Sequence, residues 1–316
     1  MKTIFKAILV STLLWSAYTG QAQQQAMFTQ YMFNQLALNP AYTGIHEGIS
    51  TSFLARHQWA GFEGAPKTQT FSIHSPIKYR NIALGGILIN DEIGVTHQFG
   101  ASLSYAYRIS VTQRSKLSFG LQASIHQYKA DFTENMNNDP NLASQNINDL
   151  SPNAGAGIMW YSDRFYVGFS VPQLINHSVS GGLDVPIDPN TGNELDADAQ
   201  LIRHYFASAG YVFELNRHLK LKPNVLFKWV EGAPLQVDLN ANFLINELLW
   251  LGVSYRSFDS FDALIQLQLT PSLQIGYAYD FYTTTDLSRV NSGSHELMIN
   301  YVFNLKSDRI VTPRYF

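Results

Sequence analysis

Apolar and polar residues alternate along nearly the whole of this chain, and that pattern limits the fold more than any other feature. In Ser272 to Phe281, Leu273, Ile275, Tyr277, Tyr279 and Phe281 share one face, while Gln274, Gly276, Ala278 and Asp280 share the other. A period of two places alternate side chains on opposite faces of a β-strand. Pro234 to Ile245, His97 to Ile109, Lys116 to Ile125, Leu249 to Arg256, Phe261 to Leu269 and His295 to Phe303 repeat the pattern. Weaker versions cover Thr51–Trp59, Lys67–Ile77, Asn81–Asn90, Asn153–Trp160, Arg164–Val171, Arg203–Phe213 and His218–Trp229. The spacing predicts an all-β chain of about fourteen strands, with one helix-like stretch, Ala26 to Leu38.

The connections are ordered too. Short ones such as Lys78–Arg80, Ser110–Ser115, Tyr161–Asp163 and Asn246–Leu248 alternate with longer ones such as Ala60–Pro66, Tyr128–Pro152, Pro172–Ile202 and Thr283–Ser294. Short turns at one end and long loops at the other, with an even strand count, are what a transmembrane antiparallel β-barrel of the outer membrane requires. A soluble sandwich has no reason to keep that order. The polar register carries Arg108, Lys220, Lys222, Lys228, Asp238, Arg256, Asp262 and Asp280. Facing lipid at mid-membrane, a Lys or Arg costs roughly 2–4 kcal/mol, so these side chains are expected to face the lumen. Gly100, Gly120, Gly155, Gly157, Gly168, Gly210, Gly252 and Gly276 fall on the same register. They either ease strand curvature or leave room for a segment packed against the inner wall. Inward Phe206, Leu226, Trp250 and Leu264 speak against a wide aqueous pore, and Pro223 inside a strand predicts a bulge.

Composition agrees with this reading. Charged residues make up only 14% of the 316 and aromatics 13%, with a net charge of -3 and no cysteine. The aromatic content argues against disorder, and the slight acidity against a nucleic-acid partner. Lys2 and Lys6 flank the apolar run Ala7–Trp15, and Gly20-Gln21-Ala22 offers a cleavage site, so residues 1–22 read as a signal peptide with Gln23 as the mature start. A lipid-anchored signal would need a cysteine at the cut. No later apolar stretch reaches the ~20 residues of a membrane helix.

Reactive constellations are missing from the pattern. His295-Glu296 and His46-Glu47 begin like zinc-protease motifs, but Ile299 and Ser50 stand where the second histidine belongs. Gly155-Ala156-Gly157 lies on a strand rather than in a phosphate loop. His57, His74 and His126 read as polar wall residues. Asp184, Asp188, Glu194, Asp196 and Asp198 cluster in the longest loop as a solvated acidic surface or a Ca2+ site. No catalytic, cofactor or metal residue is assigned.

Several motifs in one order resemble the PorP/SprF family of type IX secretion system outer-membrane proteins. They are Phe28-Thr29-Gln30-Tyr31-Met32-Phe33-Asn34 with Asn39-Pro40-Ala41-Tyr42-Thr43-Gly44, and Arg56-His57-Gln58-Trp59-Ala60-Gly61-Phe62-Glu63-Gly64-Ala65-Pro66-Lys67-Thr68-Gln69. Tyr255-Arg256-Ser257, Gly276-Tyr277-Ala278-Tyr279-Asp280, Gly293-Ser294-His295-Glu296 and the terminal Pro313-Arg314-Tyr315-Phe316 continue the resemblance. It implies a non-enzymatic barrel in the outer membrane of a gliding or protein-secreting bacterium. The implied partners are secreted, adhesin-like cargo with a C-terminal sorting domain, periplasmic ring and motor proteins of the same system, and outer-membrane lipids. No cofactor is implied. Residues 23–48 would form a periplasmic contact or a luminal plug, 49–305 the barrel, and 306–316 a periplasmic tail. The barrel pattern alone would equally fit a porin or hydrophobic-solute channel, and scattered Ser and His leave a lipase as a third reading. The Arg56–Lys67 hairpin, with Trp59 and Phe62 beside Gly61 and Gly64, is expected to order the first loop.

Overall fold

The computed structural model describes residues 27–303 except 79, 132–146, 180–198, 258 and 283–291. The signal segment, the acidic cluster and the tail with Pro313, Arg314 and Phe316 lie outside the described residues. Fourteen antiparallel strands close into a barrel. The first seven are β1 (Ile49–His57), β2 (Lys67–Pro76), β3 (Ile82–Ile93), β4 (Thr96–Ser110), β5 (Ser115–Ala130), β6 (Ile147–Ser162) and β7 (Phe165–Val171). Then come β8 (His204–Tyr211, continued by Phe213–Glu214), β9 (Leu219–Val230), β10 (Gln236–Ile245), β11 (Leu249–Arg256), β12 (Ser260–Gln268), β13 (Leu273–Tyr282) and β14 (Ser294–Phe303). Each strand pairs with its neighbours in sequence, and β1 closes the ring on β14 from Ile49↔Phe303 to His57↔His295. A two-stranded ribbon, His177–Val179 with Ala199–Leu201, stands in the β7–β8 connection.

The period-2 pattern maps directly onto the wall. Phe53, Phe71, Leu103, Leu121, Phe169, Leu239, Val253, Ile265 and Ile299 are exposed on the outer face, where they meet lipid. Arg256, Asp262, Asp280 and Glu296 are buried inside. Turns 77–81, 111–114, 163–164, 215–218, 246–248 and 269–272 all lie at one end, together with the start of β1 and the end of β14. The long connections lie at the other, but so do the tight β3–β4 turn at Gly94-Val95 and the short 257–259 turn. Strand β3 runs on to Ile93, so that connection is shorter than its sequence suggests.

Pro223 causes no bulge. The β9–β10 register runs unbroken through Pro223↔Ala241. On the β8 side, pairing stops after Gly210↔Asn224 and resumes at Phe213↔Leu221 with the register unchanged. The missing proline donor is absorbed as a local gap in one ladder.

Candidate functional site

The lumen is filled by the chain itself. Residues 28–45 are almost all buried, and they run from the long-loop end down to the short-turn end, where Gly48 enters β1. The helix-like stretch at 26–38 holds two 3-10 turns instead, Tyr31–Phe33 and Gln35–Ala37, and a third, Pro40–Tyr42, follows it. Asn34 (φ −134°) and Asn39 (φ −138°, ψ 112°) interrupt helical geometry, and a residue before proline is pushed out of the α region. Asn39 then caps the third turn, its side chain accepting from the Ala41 N–H at 2.9 Å.

At the long-loop end the first residues of this segment meet a charged cradle. Arg56 on β1 bridges Asp280 on β13 (2.6 Å) and Glu296 on β14 (3.2 Å). Glu296 accepts two successive backbone N–H groups, from Thr29 (2.9 Å) and Gln30 (2.8 Å). The Thr29 hydroxyl donates to Asp280 (2.7 Å) and accepts from Arg56 (2.9 Å). Arg256 on β11 pairs with Asp238 (3.0 Å) and Asp259 (3.4 Å), and donates to the Phe28 carbonyl (3.4 Å). Asp262 completes the layer, held by Ser254 and Ser260. Buried charges of this kind persist only when paired and hydrogen-bonded. Below them Phe28, Tyr31, Met32 and Leu38 pack on Leu54, Phe206, Leu226, Leu264 and Met298. Lys222 lies over the rings of Phe33 (4.8 Å) and Trp250 (5.8 Å).

The lower lumen is held differently. A Cβ on Gly120 would overlap the backbone of Ala41, and one on Gly157 would overlap the Asn39 side chain. Asn39 also donates to the Ile158 carbonyl (3.2 Å), and Gly168 makes room for its amide. Leu36, Ala41, Tyr42 and Ile45 pack with Met159, Tyr161, Tyr166 and Val212. His74 accepts from the Gly44 N–H (3.1 Å), and Arg108 donates to the Gly44 carbonyl (2.6 Å). Thr43 bonds Ser104 (2.9 Å).

Of the residues singled out in the sequence, Gln30, Tyr31, Asn34, Asn39, Pro40 and Tyr42 lie in the luminal segment, and Arg56, Arg256, Asp280 and Glu296 on the wall around it. Tyr277 and His295 belong elsewhere: they face outward and bond each other (2.7 Å). Gln58, Trp59, Gly61, Phe62, Gly64 and Pro66 form the β1–β2 loop at the rim. Ala60 exchanges two backbone hydrogen bonds with Gly293 and Ser292 (2.8 Å each), Trp59 N–H donates to Ser294, and Gly94 N–H donates to the Gly64 carbonyl. Trp59 itself sits at φ 50°, a conformation costly for a bulky residue. Thr29, Thr43, His74 and the cation over Phe33 and Trp250 were not singled out as site residues. Only the inward register of Lys222 and Trp250 hinted at the last.

The profile described as "Type IX secretion system membrane protein PorP/SprF" matches residues 20–301. The chain belongs to the PorP/SprF family. As a PorP/SprF protein and a β-barrel it resides in the outer membrane. No curated protein matches the sequence. Among solved structures, the toluene transporter TbuX of Ralstonia pickettii aligns at TM-score 0.52 with 10% identity, covering 90% of this chain and 96% of that one. A FadL homologue of Pseudomonas aeruginosa aligns at TM-score 0.48 with 15% identity, covering 87% and 94%. The monoaromatic hydrocarbon channel CymD aligns at 0.48 with 13% identity, covering 88% and 93%. The first likeness places this PorP/SprF protein in a barrel fold shared with a transporter and goes no further than fold.

Proposed function

We propose that this barrel supports the export or surface anchoring of particular adhesin-like cargo carrying a C-terminal sorting domain, and that it does so by protein contacts rather than chemistry. Its partners are that cargo and the periplasmic ring and motor proteins of the secretion system. The observation that carries the reading is the lumen packed with the protein's own residues 28–45. A pore filled by side chains and backbone from rim to rim is poorly suited to diffusion of solutes, which leaves the two rims as working surfaces. Residues 1–22 act as a cleaved signal peptide, and the 306–316 tail contacts periplasmic partners. The β1–β2 loop, tied to both neighbouring connections, orders the cell-surface rim.

Deleting the gene is expected to remove one large protein from the cell surface, with gliding reduced where that protein is the adhesin. An unchanged secretome and surface proteome would contradict the proposal.

A further inference from the structure

We infer that the charged cradle at the long-loop end is a peptide-binding site, occupied in this state by the chain's own Phe28–Gln30. It takes a short peptide in which an aromatic residue precedes Ser or Thr. This deepens the reading above by giving partner recognition a place, and it rests on that reading only for the identity of the partner.

The two halves of the luminal segment are held by different balances of shape and charge. The lower half is seated chiefly by shape, with Gly120 and Gly157 leaving space for Asn39 to Ala41 and for nothing bulkier on the wall, and is secured at Gly44 by His74 and Arg108. The upper half is held through groups that every peptide has. Glu296 receives the N–H groups of residues 29 and 30, and Arg256 donates to the carbonyl of residue 28. Two side chains are held as well: the Thr29 hydroxyl, clasped between Asp280 and Arg56, and the Gln30 amide, which donates to the Glu296 carbonyl (3.4 Å). Phe28 supplies an apolar anchor against the cluster with Leu264 and Met298. Recognition mainly through backbone groups, with a hydroxyl and an amide added, tolerates variation in the other side chains, as strand- and turn-docking receptors do.

The energetics point the same way. Four ionised groups of this cradle, Arg56, Arg256, Asp280 and Glu296, are each at most 4% exposed. An apolar layer of similar volume would secure a permanent plug as well or better, because buried ion pairs are weak contributors to stability. What such a cradle supplies is polar, geometrically specific affinity for a backbone segment. It lies at the end bearing the long loops, which face the cell exterior in outer-membrane barrels. The resident segment is covalently tethered and competes at an effective concentration in the millimolar range. A free peptide therefore binds well only once the resident is released.

The test uses the full-length purified protein in detergent and a fluorescent pentapeptide of residues 27–31, acetyl-Met-Phe-Thr-Gln-Tyr-amide, against a scrambled control. Thr29→Asp sets a third carboxylate against Asp280 and Glu296 and releases the resident. Fluorescence anisotropy is expected to show the pentapeptide binding Thr29→Asp at least tenfold more tightly than wild type, with the gain lost when Glu296→Gln is added. Should Thr29→Asp not give a heat-modifiable barrel, Thr29→Val, which replaces only the hydroxyl with a methyl group, takes its place with the same expectation. Binding no better than the scrambled peptide, or binding indifferent to Glu296→Gln, overturns the proposal. Loss of cargo display on gene deletion alongside a silent cradle would leave the secretion reading standing and remove this one alone.

Discussion

The upper and lower lumen do the same job, holding one segment of chain, with different chemistry. Above, Phe28 to Gln30 are gripped by Arg56, Arg256, Asp280 and Glu296 through the peptide backbone. Below, Asn39 to Ile45 are seated chiefly by glycine-made space and apolar packing, with a few hydrogen bonds that include one from Arg108 to the Gly44 carbonyl. The contrast teaches that shape gives permanence while paired charge gives selectivity. A fixed anchor can rest mainly on shape, and a charged clamp loses its hold when one member goes.

The largest effect is expected at that clamp. Arg56→Ala leaves Asp280 and Glu296 buried without their common counter-ion, which should cost about 3–5 kcal/mol. The temperature at which the compact band in a heat-modifiability gel converts to the unfolded form is expected to drop sharply. A shift no larger than that of a surface control would mean that the upper layer carries little.

Next comes the lower anchor. Gly157→Leu or Gly120→Val forces atoms into space occupied by Asn39 and Ala41, an overpacking cost of roughly 1–3 kcal/mol. We expect the 27–48 segment to become cleavable by added protease while the strand content in circular dichroism holds. If the segment stays protected, the glycines are not what seats it.

Smaller still, Asn39→Ala removes the cap on Ala41 and the bond to Ile158, and is expected to cost about 1 kcal/mol. A denaturant midpoint unchanged from wild type would show that packing of Pro40 to Tyr42 suffices. The smallest stability effect belongs to Trp59→Ala at the rim. It should alter overall stability by no more than about 0.5 kcal/mol, yet loosen the β1–β2 loop and raise proteolysis between residues 58 and 66. Intact loop protection together with intact cargo display would deny that loop its ordering role.

The wall was legible in the sequence because a strand exposes its period residue by residue. All fourteen alternating segments became strands, and Tyr277 and His295 could be put outside from register alone. The contents of the lumen were less legible. Gly120 and Gly157 read like Gly100 and Gly252, yet the first pair faces Asn39 to Ala41 while the second faces the wall side chains His126 and Asn242. No local pattern tells these apart, since the difference lies in what arrives from the other end of the chain. The clamp had the same difficulty. Inward charge was visible, but the join of Arg56 with Asp280 and Glu296 spans more than two hundred residues of sequence. The helix-like stretch at 26–38 failed for a local reason, the breaks at Asn34 and at Asn39 before Pro40.

A lumen filled by its own chain is the central claim, and planar-bilayer recording of the purified wild-type protein tests it most directly. The account predicts no steady conductance above the bare bilayer in neutral buffer. A stable, reproducible open level from the wild-type barrel would contradict it.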